Sequence, residues 1–462
     1  MPRTFIVPAA IGAGGPAGVY AARLWRHVSD DGPLPLGRAH VVASMAIREA
    51  RRAALGIDVL TAVGDLRRYE PAVSAVVLLG IAPDSERRTI LTAFSRLPFV
   101  LQSEQPDDRS ITVSTERGDL SLHLAPPDQA GAAMVWHTGS RRHVDLLQTR
   151  ARQRDLGFSD GRLTNRGGKT LRCATENDLY RRLDLPYIAP ELRAGADEIA
   201  AADRKALPDL VIELHIRGDL HMHTTWSDGR DTTEHMVLSA KQLGYEYVAL
   251  TDHSQRAWSS RKLSIDDVPR QRDEIESLRK TIPGIEILHG VEVDILTDGS
   301  LDFDDDILGG FDIVLASLHV DEGQDGARLT ERYLRAIHHP LVNIITHPAN
   351  RSPARSPGFD VDFDALFAAA AETGTAMEID GAPGHLDMDG ALARRAAAAG
   401  VTVTIDSDCH RAEWLARQMR FGVGTARRGW IEPRHVLNTR SADDVRAFVA
   451  RKRERHGSHG AG

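Results

Sequence analysis

The sequence predicts a distorted (β/α)7 barrel over residues 215–445, preceded by a smaller α+β domain over residues 1–200. Two observations carry this. From Leu207 onward, short apolar runs alternate with segments whose apolar residues recur at helical spacing, about seven runs in all. The chain, at 462 residues, is also too long for one ordinary domain and suits two or three. Strand-then-helix repetition specifies parallel strands covered by helices, and with about seven strands a closed barrel is the economical solution.

The runs are Gly218–His223, Tyr245–His253, Ile285–Ile295, Phe311–His319, Leu341–His347, Gly374–Asp380 and Val401–His410. Between them, Thr233–Leu243, Ile265–Thr281, Ala327–His338, Asp362–Glu372 and Gly390–Ala399 read as helices rich in Ala, Leu, Arg and Glu. The first half is less regular. Ala39–Leu55 and Arg141–Leu156 read as helices, Ala75–Gly80 and Ile111–Leu124 as strands. Pro190, Gly195 and Pro208 mark a linker, placed at residues 201–214, and residues 446–462 read as a disordered tail. No internal repeat is visible.

Apolar content of 42% with no run near the ~18 residues of a membrane span excludes a membrane protein. Met1–Leu24 carries Arg residues and a short apolar run, but Gly and Pro interrupt it and no clean cleavage site follows, so a cytoplasmic protein is expected. Cys173 and Cys409, far apart, exclude a disulfide framework and a four-cysteine zinc module. Formal charge is +2 over residues 1–215 and −10 over the remainder. An acidic half repels nucleic acid, yet three bound divalent ions would add about six positive charges at one spot and reverse that locally.

Every apolar run of the second half ends in or contains a residue able to bind a metal. His221 and His223, two apart on one strand, leave the same face. Asp228 follows in the loop Thr224–Gly229. Asp252 and His253 close the second run, Glu292 lies in the third, His319 ends the fourth, His347 ends the fifth, and Asp408 with His410 ends the last. In a parallel barrel these ends converge at one mouth, where catalytic groups belong. Nine of these groups, all but Asp252, packed together without a cation would cost several kcal/mol each in unpaired charge and unsatisfied nitrogens.

The stretch Arg217-Gly-Asp-Leu-His-Met-His-Thr-Thr-Trp-Ser-Asp-Gly229, with Leu250-Thr-Asp-His-Ser254, Gly290-Val-Glu-Val-Asp294, Ala316-Ser-Leu-His319, Thr346-His-Pro348 and Asp406-Ser-Asp-Cys-His410, resembles the polymerase and histidinol phosphatase (PHP) family over residues 215–435. The resemblance implies a three-metal catalytic site. His221, His223, Glu292 and Asp408 would hold the first ion, a bridging Glu292 with His319 and His347 the second, and Asp228, His253 and His410 the third. Nitrogen and carboxylate donors without thiolate suit zinc or manganese. Such ions would make hydroxide available near neutral pH and neutralise charge on a phosphate ester. Arg351 and Lys262 are candidates to hold the substrate phosphate. Cys409, between two of these positions, is expected to be structural.

Residues 36–195 resemble the catalytic region of the family X DNA polymerases, of the bacterial type that carries a PHP domain behind it. The matching text is Val63-Gly-Asp-Leu-Arg-Arg68, Leu122-His-Leu-Ala-Pro-Pro127, His137-Thr-Gly-Ser140 and Leu185-Pro-Tyr-Ile-Ala-Pro-Glu-Leu192. The three family carboxylates that hold the metals of nucleotidyl transfer fall on Ala75, Val77 and Ser121, so all three are missing. Asp65 stands where the family has a serine that contacts the triphosphate. The helix-hairpin-helix and lyase portion that normally precedes is expected to be absent or reduced to Ala9–Trp25. Arg67, Arg68, Arg141 and Arg142 are expected to form either a basic surface able to cradle a nucleic-acid backbone or a solvated face on a packing domain. The expected function is a metal-dependent phosphoesterase acting at DNA 3′ ends in repair, with polymerase activity lost. Its rivals are a small-molecule phosphatase of the histidinol-phosphatase type and a DNA-end-binding scaffold without activity.

Overall fold

Strands Val59–Val63 (β1), Val76–Ile81 (β2), Gln102–Ser103 (β3), Ser110–Thr115 (β4) and Gly118–Ala125 (β5) build one sheet, in the order β1-β2-β5-β4-β3. Only the β2–β5 pair is parallel; β1–β2, β4–β5 and β3–β4 are antiparallel. The expected single strand Ile111–Leu124 is in fact this β4–β5 hairpin, because Glu116, Arg117 and Gly118 turn the chain between two runs of alternating burial. Helix α1 is Leu36–Arg52, α2 is Arg87–Phe94, α3 is Ala130–Thr138, and α4 is Arg141–Arg152, which ends before a short strand at Leu156–Ser159. Helix α3 packs Ala133 with Val63, Leu79, Ile81 and Ala125. On that same face the β2–β5 register sets Val77 beside Ser121, and Ala75, Val77, Ser121 and His123 line a cavity of about 880 Å³.

A computed structural model describes residues 32–257 and 259–457, and the chain divides into two compact units. The first holds residues 39–65 and 73–187. The second holds residues 188–457 together with Pro35–Arg38 and Leu66–Ala72. The division thus falls between Tyr187 and Ile188, earlier than the linker read from Pro and Gly, and part of the expected linker is helical, at Glu198–Asp203. The segment Ala9–Trp25 lies outside the described residues.

Seven parallel strands in sequential order make the second unit: Gly218–Asp219 (β6), Tyr247–Leu250 (β7), Glu286–Asp294 (β8), Ile313–Ser317 (β9), Ile344–Ile345 (β10), Ala376–Asp380 (β11) and Val403–Asp406 (β12). Each lies within one of the seven apolar runs. A bridge between Met222 and Cys409 brings the first and last strands together beyond their regular ends, with the His223 N–H donating to the Cys409 carbonyl at 2.9 Å. The barrel is therefore nearly closed. Helices Thr233–Gln242 (α5), Val268–Thr281 (α6), Gly326–His338 (α7), Phe363–Thr373 (α8), Gly390–Ala398 (α9) and Leu415–Arg428 (α10) cover it. Residues such as Met236, Ile275, Tyr333, Phe367 and Met419 fill the layer between sheet and helices.

The last helix, Ala442–Gly457 (α11), corrects the expected tail. Val445, Phe448 and Val449 join Leu220, Tyr247, Leu288, Ile313 and Ile344 in one buried cluster, and Lys452 is buried with its Nζ donating to the Ile337 carbonyl at 2.9 Å. Burying one such apolar side chain stabilises by roughly 1.5–3 kcal/mol, enough to order a helix whose other residues are mostly Arg, Asp and Ala. The two first-half segments of this unit are fixed as firmly. Tyr69 sits so close to α10 that a Cβ on Gly424 would lie 2.2 Å from its ring, and Arg428 pairs with Glu70 at 2.6 Å.

Candidate metal centre

The site stands where the strands end. His221 and His223 follow β6 on extended chain held by Thr251, whose Oγ1 accepts the Met222 N–H at 3.1 Å. Asp228 sits in a loop that Asp252 organises: its carboxylate accepts the N–H groups of Thr224 and Ser227 at 2.8 and 3.0 Å and is met by Gln271 of α6 at 2.8 Å. Asp252 is thus occupied by the loop itself. Glu292 lies within β8, and His253, His319, His347, Asp408 and His410 follow their strands.

All nine expected residues come together. Glu292, fully buried, is faced by five imidazole nitrogens: His253 Nδ1 at 2.8 Å, His347 Nε2 at 3.0 Å, His221 Nε2 at 3.3 Å, His319 Nε2 at 3.4 Å and His223 Nε2 at 3.5 Å. Asp408 Oδ1 stands 3.0 Å from His223 Nε2, and Asp228 Oδ1 stands 3.2 Å from His410 Nε2. Three groups bring one donor atom per residue within 4.8 Å of one another: His221, His223 and Asp408; His253, Glu292 and His319; and His223, Asp228, His253 and His410. The partition differs from the one implied by resemblance: Glu292 falls outside the His221 group, His223 is shared with the Asp228 group, His253 also reaches the Glu292 group, and His347 enters through Glu292.

The donor set fits divalent cations. His221 Nε2 and His223 Nε2 face each other across 3.1 Å, with carboxylates at their sides. Two neutral imidazole lone pairs at that separation repel unless a proton or a cation lies between them. In the metal-free protein the charges polarise accordingly. Burial works against a charged His221, but Glu378, Glu292 and Asp408 outweigh it and lift its pKa well above the ordinary value. Burial would likewise raise Glu292, yet His253, His221 and His319 hold it well below the usual carboxylate range. His410 is pushed up to about 9 against burial by its bond to Asp228, whereas burial and the neighbouring His410 and His253 push His223 down to about 3. His347 and Asp408 also sit in left-handed backbone, with φ of 28° and 47°. Such conformations cost non-glycine residues about 1–3 kcal/mol and concentrate at functional sites.

Sequence reasoning missed the layer behind these groups. Glu378, fully buried, accepts from His221 Nδ1 at 2.7 Å and from the His347 N–H at 2.8 Å, and it also holds the Thr346 hydroxyl. Asp294 takes the Nδ1 side of His319. His385 stacks on His347 with ring centroids 5.2 Å apart, and burial drives its pKa down to about 4. One signal was available: Gly374–Asp380 was the run assigned no metal-binding residue, and it contains Glu378 and Asp380.

The other candidates are placed differently. Arg351 is engaged by Asp389 at 2.9 Å and is largely buried, so its guanidinium serves the loop after His347. Lys262 is exposed, one residue before Leu263, whose N–H donates to the His253 carbonyl. Cys409 is buried, its thiol donating to the Arg411 carbonyl. Arg68 is buried beside Glu70 and drops out of the expected basic surface, while Arg141 and Arg142 stand exposed at the start of α4. Asp65 accepts the Ser74 N–H at 2.8 Å. In the first unit, Ala75, Val77 and Ser121 bring no carboxylate to the cavity they line, whose acidic residues are Glu104, Asp107, Asp108 and Asp160.

Comparison with known proteins agrees with both units. The PHP domain family model matches residues 219–361, and the DNA polymerase beta thumb model matches residues 133–194. Barrel, donor set and match define a PHP-type hydrolase of phosphate esters. Over 391 residues the chain is 34% identical to the DNA polymerase/3′-5′ exonuclease PolX of Bacillus subtilis, covering 84% of this chain and 68% of that one. The chain belongs to the PolX family, the family X polymerases that carry a PHP domain. It is also 34% identical over 204 residues to a probable phosphatase of Shewanella oneidensis, covering 42% of this chain and 75% of that one. A probable phosphatase of a Thermoanaerobacter species is 28% identical over 250 residues, 52% of this chain and 96% of that one. Among the described residues no helix is long and apolar enough to cross a membrane.

Proposed function

We propose that the chain is a metal-dependent phosphoesterase that trims DNA 3′ ends, as a 3′-5′ exonuclease or end-cleaning enzyme in repair, and that it no longer polymerises. The observation that carries the hydrolase is the convergence of five imidazoles on the buried Glu292 carboxylate. In this reading His221, His223, Asp228, His253, Glu292, His319, His347, Asp408 and His410 hold up to three zinc or manganese ions, with Glu292 shared between them. Ions held there would supply a hydroxide nucleophile at neutral pH and neutralise charge on the phosphate oxygens. The chain's own residues set the geometry. Glu378 and Asp294 fix His221 and His319 by their Nδ1 sides, which leaves both Nε2 atoms to face the centre.

The nucleic-acid part of the reading rests on the attached polymerase-like unit and on the likeness to a protein whose name includes a 3′-5′ exonuclease. The loss of polymerisation rests on Ala75, Val77 and Ser121, since nucleotidyl transfer needs carboxylate-held cations to activate the 3′ hydroxyl. Degradation of a 3′-labelled oligonucleotide with manganese, abolished in His221→Ala and Asp408→Ala proteins, is the expected result. Cleavage persisting in both variants would sink the assignment. The rival small-molecule phosphatase has one observation in its favour, the likeness of the barrel to probable phosphatases. Histidinol phosphate turned over far faster than any oligonucleotide would establish it instead.

A further inference from the structure

We infer that Arg411, Trp414 and Arg417 form a phosphate-holding stripe beside the metal centre, which engages the nucleic-acid strand one step away from the bond being cut. This rests on the phosphoesterase reading above and deepens it, because it separates a polynucleotide substrate from a small phosphate ester.

The stripe begins one residue after His410. The chain makes a short 3₁₀ turn at Ala412–Trp414 and continues directly into α10. Arg411 caps this turn from extended backbone and Arg417 lies in the first turn of α10, and both side chains fold back onto Trp414 between them. Ala412, Leu415, Gln418 and Met419 occupy the buried side. Both guanidiniums lie against the Trp414 ring, Arg411 at 4.9 Å and Arg417 at 5.4 Å from its centroid. Cation–π contact of this kind holds a guanidinium without using its hydrogen-bond donors.

Those donors have few protein acceptors. Among the described residues the carboxylate nearest Arg411 is the exposed Glu413 at 3.7 Å, and Asp231, also on this side, accepts from the Ala412 N–H at 2.9 Å and from His235. Arg417 Nε is buried with no hydrogen-bond partner, and no carboxylate pairs with that side chain among the described residues. Two forked cations on one ring are arranged for an anion with several acceptor oxygens, and a phosphodiester is such an anion.

The stripe does not stand alone on this rim. The Arg230 N–H donates to the His410 carbonyl at 2.8 Å, and Arg261 Nη2 donates to the Gly229 carbonyl at 2.8 Å, beside the exposed Lys262. Arg230, Arg261 and Lys262 thus join Arg411 and Arg417 on the Asp228–His410 side of the mouth, together with Asp231 and Glu413. The chain beyond His319 instead presents exposed Asp321, Glu322 and Asp325. A single strand has phosphates to offer such a track in addition to the one at the metals. A small ester has its one phosphate in the metal centre and nothing left for the arginines.

The test compares the whole chain with a variant carrying both Arg411→Ala and Arg417→Ala. Turnover is measured on a short single-stranded oligothymidylate and on p-nitrophenyl phosphate. Binding of the fluorescein-labelled oligothymidylate is measured by anisotropy in an Asp408→Ala background that does not cut it. The oligonucleotide-to-ester ratio of kcat/KM falls roughly tenfold, mostly through KM. The slope of log affinity against log salt becomes shallower by about 1.4, two contacts at about 0.7 each on a single strand. A Trp414→Ala variant shows part of the same loss, and Trp414→Phe restores it. An unchanged ratio and salt slope would overturn the stripe even if the oligonucleotide is cut. A wild-type chain that hydrolyses the ester but never the oligonucleotide would overturn the nucleic-acid reading itself, and the anisotropy data would still judge the stripe.

Discussion

Replacing Glu378 by glutamine should weaken metal binding without removing any residue that faces the centre. Glu378 Oε1 accepts from His221 Nδ1 at 2.7 Å, while Oε2 accepts the His347 N–H at 2.8 Å and the Thr346 hydroxyl. Because a carboxylate only accepts, His221 must carry a proton on Nδ1, so that Nε2, which faces His223 and Glu292, is the nitrogen that can exchange its proton for a cation. In Glu378→Gln the amide oxygen can keep the two Oε2 bonds, but the NH₂ then faces Nδ1. The imidazole answers by moving its proton to Nε2, where it blocks the ligating lone pair. Loss of a carboxylate behind a metal-binding histidine typically costs 10–100-fold in affinity, or about 1.4–2.7 kcal/mol. Shape and two of three hydrogen bonds survive, so the metal-free variant should unfold within about 1 kcal/mol of the parent. Competition against a chelator of known affinity reads the first quantity, and denaturant melts of chelator-treated protein read the second. Wild-type metal affinity in a normally stable variant would refute the role of Glu378 and the tautomer argument with it.

Three further outcomes follow from the geometry. Ala75→Asp, Val77→Asp and Ser121→Asp together should give the first unit a divalent-metal site that the parent lacks there, read as extra bound manganese by isothermal titration. No gain would show that these positions do not converge. In metal-free protein His410, raised to about 9 from an unfolded value near 6.5, contributes stability that is complete below about pH 6.5 and is lost as pH rises through about 9. Lys452, lowered by burial to about 7, acts in the opposite sense over part of that range, so the check is the difference in stability between parent and His410→Gln, which should shrink from pH 6 to pH 9. Phe448→Ala should cost about 3–5 kcal/mol in thermal or denaturant unfolding, where a residue in a disordered tail would cost nothing measurable.

The seven strands were legible because each apolar run is bounded by polar residues at one mouth, and the nine donors because their residue types cluster at those boundaries. What stayed hidden has physical causes. Glu378 sits inside an apolar run, Ala376–Asp380, where its neighbours Met377 and Ile379 set the pattern and a lone carboxylate resembles an interruption. Helix α11 carries its apolar residues only at Val445, Phe448 and Val449, too few for composition to register, although their spacing is helical. Arg68 read as surface because its charge is visible in sequence and its partner Glu70 is recognised only once the chain turns back. That Ala75, Val77 and Ser121 are not carboxylates was legible from identity alone, while the placing of Val77 beside Ser121 required the β2–β5 register.

Pro35–Arg38 and Leu66–Ala72 belong to the hydrolase unit although they come from the first half of the chain. A gene fragment beginning at the barrel would therefore be born with Gly424 and Arg428 stripped of Tyr69 and Glu70. The first half cannot be removed by one clean deletion. The barrel unit is partly woven from the same thread as the half that precedes it.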